Sequence, residues 1–78
     1  MVDLRLFGPA RQAAGVARAD VPGGSVADVL AEAARRYGSG FAEVVAGSSV
    51  WLNGESASPD AVVTDQDELA VVPPVSGG

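Results

Sequence analysis

Val2, Leu4 and Leu6 alternate with Asp3, Arg5 and Phe7 at the start of the chain, the period-two pattern of a half-buried strand. GPARQAAG breaks that pattern and reads as a loop or short helical turn ending at Gly15. A weaker alternation through Val16, then Ala17 or the alkyl stem of Arg18, then Val21 predicts an edge strand, and PGGS after it a turn. The clearest element follows. Val26, Val29, Leu30, Ala33, Ala34 and Tyr37 recur at helical spacing and make one apolar stripe along VADVLAEAARRY. Ser25 is placed to cap this helix, with Asp28 three residues on to complete a capping-box start. Arg35 and Arg36 favour its last turn, where they meet the negative end of the helix dipole, and Gly38 stops it.

Beyond a glycine-rich gap, FAEVVA predicts one more helical turn, and SSVWLNGES a strand running into an Asn53-Gly54 hairpin turn. SPDAVVTDQDE reads mostly as loop with a short apolar run. ELAVVPP closes the pattern as a strand, with Leu69 and Val71 on one face and Ala70 and Val72 on the other. The order strand, strand, helix, strand, strand predicts an α+β arrangement with one helix packed across one face of a sheet. No repeat, linker or low-complexity segment interrupts it.

Composition narrows the chemistry. A chain of 78 residues with 47% hydrophobic residues makes one ordinary globular domain near the lower size limit for a self-sufficient core. It has no cysteine, so neither a disulfide nor a Cys/His zinc site is available. It also lacks histidine and lysine, which removes the usual general base near neutral pH, the thiol nucleophile and the Schiff-base amine. Ten carboxylates, five arginines and one tyrosine remain, and catalysis by this chain alone is not expected. The formal net charge of −5 argues against nucleic acid and anionic membranes, and suits a basic protein partner. No apolar run approaches the roughly 20 residues that span a bilayer. The start MVDLRLFGPARQ lacks the basic and apolar regions of a signal peptide, so the expected location is cytoplasmic. DQDE lacks the glycine and distal glutamate of a calcium loop and reads as a solvated turn, and PGGS is too short for a phosphate loop. No metal site is expected.

The segments LFGPARQAAG, LNGE and TDQDELAVVPPVSGG together resemble the MoaD/ThiS sulfur carriers, which are ubiquitin-like β-grasp proteins. The resemblance spans essentially the whole chain. Its most specific part is the acidic turn, the strand, Pro73-Pro74 and the terminal Gly77-Gly78. Within the family, the Phe7-to-Gly15 segment with Arg11 and the PPVSGG ending are most similar to the small subunit of molybdopterin synthase. Thiamine-pathway carriers are usually shorter and lack the Pro-Pro. The chain departs from the molybdopterin subfamily at Gln12, where glutamate is frequent, and at the bulky Trp51.

This resemblance implies a β-grasp domain over residues 1–74, with a mixed sheet of four to five strands and one main helix, and a flexible Gly-Gly tail over residues 75–78. It further implies a carrier and co-substrate in molybdenum cofactor biosynthesis that binds no cofactor itself. An E1-like adenylyltransferase of the MoeB/ThiF type uses ATP to adenylate the Gly78 carboxylate, and sulfur then replaces AMP to give a thiocarboxylate. The large subunit of molybdopterin synthase, of the MoaE type, would receive the tail in a heterotetramer. Val75, Ser76 and Gly77 would thread the partner's channel, glycine because it lacks a Cβ and adopts any backbone angle. Pro73 and Pro74 favour an extended path, and five extended residues reach about 15–18 Å. In the β-grasp fold the last strand runs parallel beside the first. Alternation then points Phe7, Trp51 and Val72 outward, beside Pro74 and Val75, as an apolar docking patch. Arg11 would pair with a local carboxylate or contact the partner. The same tail would also serve a ubiquitin-like modifier joined through Gly78 to target lysines, or a carrier for thiamine, cysteine or tRNA thiolation.

Overall fold

The computed structural model describes residues 1–73. The tail over residues 75–78 and the boundary after Pro74 lie outside the described residues. Val2–Leu6 forms β1, with its three aliphatic side chains fully buried on the inner face. Pro9–Ala14 is a short helix, α1, which Gly15 closes in the left-handed conformation while donating its N–H to the Arg11 carbonyl. The edge strand β2, Arg18–Val21, runs antiparallel to β1.

The PGGS segment departs from its reading as a turn. Gly24–Ser25 is a two-residue strand, β3, and pairs antiparallel with Val62–Val63, β6, inside the segment expected to be mostly loop. Two-residue strands are too short to show any periodicity, and Val63 alone marks this one by its burial. The main helix α2, Val26–Tyr37, starts on a full capping box: the Asp28 N–H donates to the Ser25 hydroxyl at 3.0 Å and the Ser25 N–H to the Asp28 carboxylate at 3.1 Å. Gly38 ends it. FAEVVA belongs to a longer helix than the single turn expected, α3 over Ser39–Ala46. Its Phe41 is fully buried and sets a tilted ring contact with Tyr37 at 5.3 Å.

The chain then forms β4, Ser49–Leu52, and β5, Glu55–Ser56, around a hairpin turn in which Asn53 and Gly54 have φ of 50° and 83°. Positive φ at both central positions is the type I′ requirement, and Asn-Gly meets it with least strain. The last strand, β7, spans Glu68–Val72. The main sheet is mixed, in the order β2-β1-β7-β4-β5, with β7 parallel to β1 and antiparallel to β4. The core lies between its inner face, with Val2, Leu4, Leu6, Val21, Leu69 and Val71, and Ala10, Val26, Val29, Ala33 and Phe41 from the helices. Among the described residues no helix is long and apolar enough to cross a membrane.

Candidate functional site

The parallel pairing of β1 and β7 decides where the last strand ends. Leu6 registers with Val71, and the Phe7 N–H donates to the Val71 carbonyl at 3.0 Å. The last strand therefore ends beside Phe7, Gly8 and the start of α1. Gly8 has φ 57° and ψ −129°, the first central position of a type II′ turn, and its carbonyl accepts from the Gln12 N–H at 3.1 Å. One residue thus turns the chain out of β1 and opens α1.

The outer face of the sheet follows from the register. Arg5 of β1 is opposite Ala70 of β7, and Ala70 is opposite Trp51 of β4. Val72 is opposite Ser49. Phe7 is 46% exposed, while Trp51, Ala70 and Val72 are half-buried. The expected patch is therefore laid out in steps: Phe7 and Val72 stand at the exit of β7, and Trp51 lies one outward step back along the sheet, beside Ala70. Val16 is also exposed, at 41%. The Leu6 N–H donates to the Ala17 carbonyl at 2.8 Å, and that pairing, carried one residue on, sets Val16 opposite Phe7. Ala70, Val16 and Gly8 are absent from the site residues expected from the sequence. Ala70 was detectable by its alternation with Val72, whereas Val16 needed the register.

A charged band borders this strip. Asp3 accepts from Arg5 at 3.1 Å and from Arg18 at 3.1 Å, and Arg5 also meets Glu68 at 3.2 Å. Partial burial pushes the Asp3 carboxyl up, but the hydrogen bonds and charges of Arg5 and Arg18 outweigh it and hold the group below the usual aspartate range. Arg5 is therefore committed to neighbours within the sheet. Arg11 is exposed on α1 and makes no ion pair among the described residues, so of the two roles considered for it local pairing receives no support.

At the opposite end of the sheet, DQDE is a hydrogen-bonded turn. Asp67 accepts from the Thr64 N–H at 2.8 Å and from the Asn53 side-chain amide at 2.8 Å, while Asp65 meets the Met1 amino group at 3.0 Å. The Asn53 side chain also accepts from the Glu68 N–H at 2.9 Å, tying the hairpin turn to the start of β7. Among the described residues no acidic group gathers with others as a metal cluster. Pro73 is exposed, and Pro74, Val75, Ser76, Gly77 and Gly78 lie outside the described residues.

A mixed five-stranded sheet with parallel first and last strands, crossed by one main helix, defines a ubiquitin-like β-grasp protein. The sequence matches the ThiS family over residues 4–78, and the chain belongs to that family. Its fold is similar to that of a Pyrococcus furiosus protein described as molybdopterin converting factor subunit 1, at 32% identity and TM-score 0.80, covering 95% of this chain and 97% of that one. It is also similar to small archaeal modifier protein 1 from Methanosarcina acetivorans, at 26% identity and TM-score 0.86 over 99% and 95% of the two chains. A chain in the Amycolatopsis orientalis BexX/CysO complex shares the fold, at 22% identity and TM-score 0.81 over 100% of both.

Proposed function

We propose that this chain carries sulfur as a thiocarboxylate on Gly78 and serves as the small subunit of a molybdopterin synthase. The observation that carries the reading is the family match through residue 78, which includes Gly77-Gly78. The similarity at 32% identity to a molybdopterin converting factor subunit supports the choice of pathway. The chain is a co-substrate that holds no cofactor, and the catalytic groups belong to its partners. In an E1-like adenylyltransferase, a Gly78 carboxylate oxygen attacks the α-phosphorus of ATP and pyrophosphate leaves. A sulfur nucleophile of the hydrosulfide class then attacks the acyl carbon, and AMP leaves with the bonding electrons. The large synthase subunit receives the tail, with the strip of Phe7, Val72, Ala70 and Trp51 as docking face, Arg11 and Pro73 at its margin, and Pro74 as a further contact. The assembly proposed is a heterotetramer in the cytoplasm.

Likeness to small archaeal modifier protein 1, at TM-score 0.86, supports a second reading, in which Gly78 is joined to a target lysine. One experiment separates them. The chain is co-expressed with its activating enzyme, treated with a thiol-alkylating reagent and mapped by its C-terminal peptide. Because it has no cysteine, alkylation reports the thiocarboxylate alone. Label at Gly78, absent when Gly78 is deleted, establishes sulfur carriage. A lysine-bearing protein joined to Gly78 establishes the modifier. An unmodified terminus beside an active enzyme and ATP refutes both.

A further inference from the structure

We propose that Gly8 is a positioning residue: its bare α-carbon forms the seat on which Pro73 lies, and so sets the course on which the chain leaves the sheet. This role rests on the carrier reading above. Two independent features demand glycine here. The backbone angles, φ 57° and ψ −129°, fall in a region that L side chains rarely enter. Separately, a Cβ at this position would stand 2.8 Å from Pro73 Cγ and 3.5 Å from Pro73 Cδ. The first distance is far inside van der Waals contact, so either the proline or the β1–α1 corner would have to shift.

The corner has little freedom to shift. The Phe7 N–H is held by the Val71 carbonyl, the Gly8 carbonyl is held by the Gln12 N–H, and Ala10, two residues on, is buried in the core. Pro73 is exposed and carries no N–H with which to continue the ladder. Its ring lies against Gly8 instead. The parallel register that pairs Leu6 with Val71 carries Pro73 alongside Gly8, two residues further on. The proline ring fixes the local φ, and the glycine seat fixes where that ring lies. A carrier whose terminus must arrive aligned in another protein's active site gains from both, since a misplacement near 1 Å can cost about 100-fold in rate.

The test compares Gly8→Ala, Pro73→Ala and the double variant in ATP–pyrophosphate exchange, using an E1-like adenylyltransferase that turns over the wild-type chain. Gly8→Ala is expected to lower kcat by about 10- to 100-fold, with KM within about twofold because Phe7, Ala70, Trp51 and Val72 keep their positions. In the double variant the backbone strain remains but the clash is gone, so its kcat should return toward that of Pro73→Ala alone. A wild-type rate for Gly8→Ala overturns the proposal. A loss that Pro73→Ala does not relieve also overturns it, because the residue would then act through backbone strain alone. A wild-type chain that no such enzyme turns over removes the carrier reading and the positioning role together, which distinguishes the two failures. Should Gly8→Ala fail to fold, nuclear Overhauser contacts between the Gly8 Hα and the Pro73 ring protons decide the seat in the wild-type chain. They are expected, and their absence overturns it.

Discussion

Replacing Phe41 by alanine tests the packing that supports the exit corner. Phe41 is fully buried, meets Tyr37 at a ring separation of 5.3 Å, and sits on α3, which packs against both α1 and α2. Truncating a buried phenylalanine costs about 3–5 kcal/mol, the lost transfer energy plus the cavity left behind. A domain of 78 residues has a total stability of roughly 4–12 kcal/mol. The substitution would therefore take about a quarter or more of what holds the fold, and near the lower bound it would unfold the chain. For a domain of this size each kcal/mol moves the melting temperature by about 4–8 °C, so the expected drop is about 12–40 °C. Urea unfolding followed by far-UV circular dichroism gives the free energy directly, with Phe41→Leu as the near-conservative control at about 1–2 kcal/mol. If α3 were only the single turn that its sequence suggests, Phe41 would be peripheral. A loss under about 1 kcal/mol for Phe41→Ala would refute the placement of α3 in the core.

Ser25→Ala removes the hydroxyl that accepts from Asp28 and should cost about 1 kcal/mol in urea unfolding, with Ser25→Thr retaining most of it. Hydrogen bonds from Asn53 and from Thr64 hold the Asp67 carboxyl below the usual aspartate range, and Arg5 and Arg18 do the same for Asp3 against its partial burial. Both folded values are depressed, so their contributions are complete above about pH 4 and are lost as pH falls below it; Asp67→Asn should flatten this acid limb in melts taken from pH 5 downward. Ala70→Glu puts a carboxylate between Arg5 and Trp51 on the outer face, where it must share Arg5 with Asp3 and Glu68 but stays half-exposed, so the melting temperature should fall by only a few degrees. Its KM with the activating enzyme should nonetheless rise at least about tenfold, the cost of burying a charge in an apolar strip; an unchanged KM would remove Ala70 from the docking face.

The parts of the fold legible in sequence are those whose periodicity is long and whose signals are local. The α2 stripe runs over three turns and its capping box is complete within four residues, so both ends are written beside the helix. Asn53-Gly54 states its turn chemistry outright, and the alternation of β1 and β7 sorts inward from outward residues. The β3–β6 pair escaped because each strand is two residues long and its partner is nearly 40 positions away. The extent of α3 escaped because it begins at Ser39-Gly40, where glycine weakens any helix signal, and its burial comes from contact with α1 and α2. At the site, Phe7 and Val72 could be named from alternation, but the Gly8–Pro73 contact depends on two segments 65 positions apart meeting in parallel. Glycine at a loop start has many explanations until the neighbouring strand is placed.

In the proposed function the outer face of β7 meets a partner while its inner face holds the core. On β7, Leu69 and Val71 are fully buried, while Ala70 and Val72 lie on the other side of the same five residues. The strand is central, hydrogen-bonded on both edges to β1 and β4, so the proposed docking would use only its outward side chains. Period-two alternation thus separates stability from recognition within one element: a charge at Leu69 has no escape from the core, whereas a charge at Ala70 has Arg5 for a neighbour. Because β7 also ends beside Phe7 and Gly8, the proposed docking face and the Gly8–Pro73 contact belong to one hydrogen-bonded unit. A partner that grips Ala70, Val72 and Trp51 fixes the strand, and Gly8, held to that strand through Phe7 and Val71, fixes the direction of Pro73. On the proposed function, recognition and delivery would meet in this one strand.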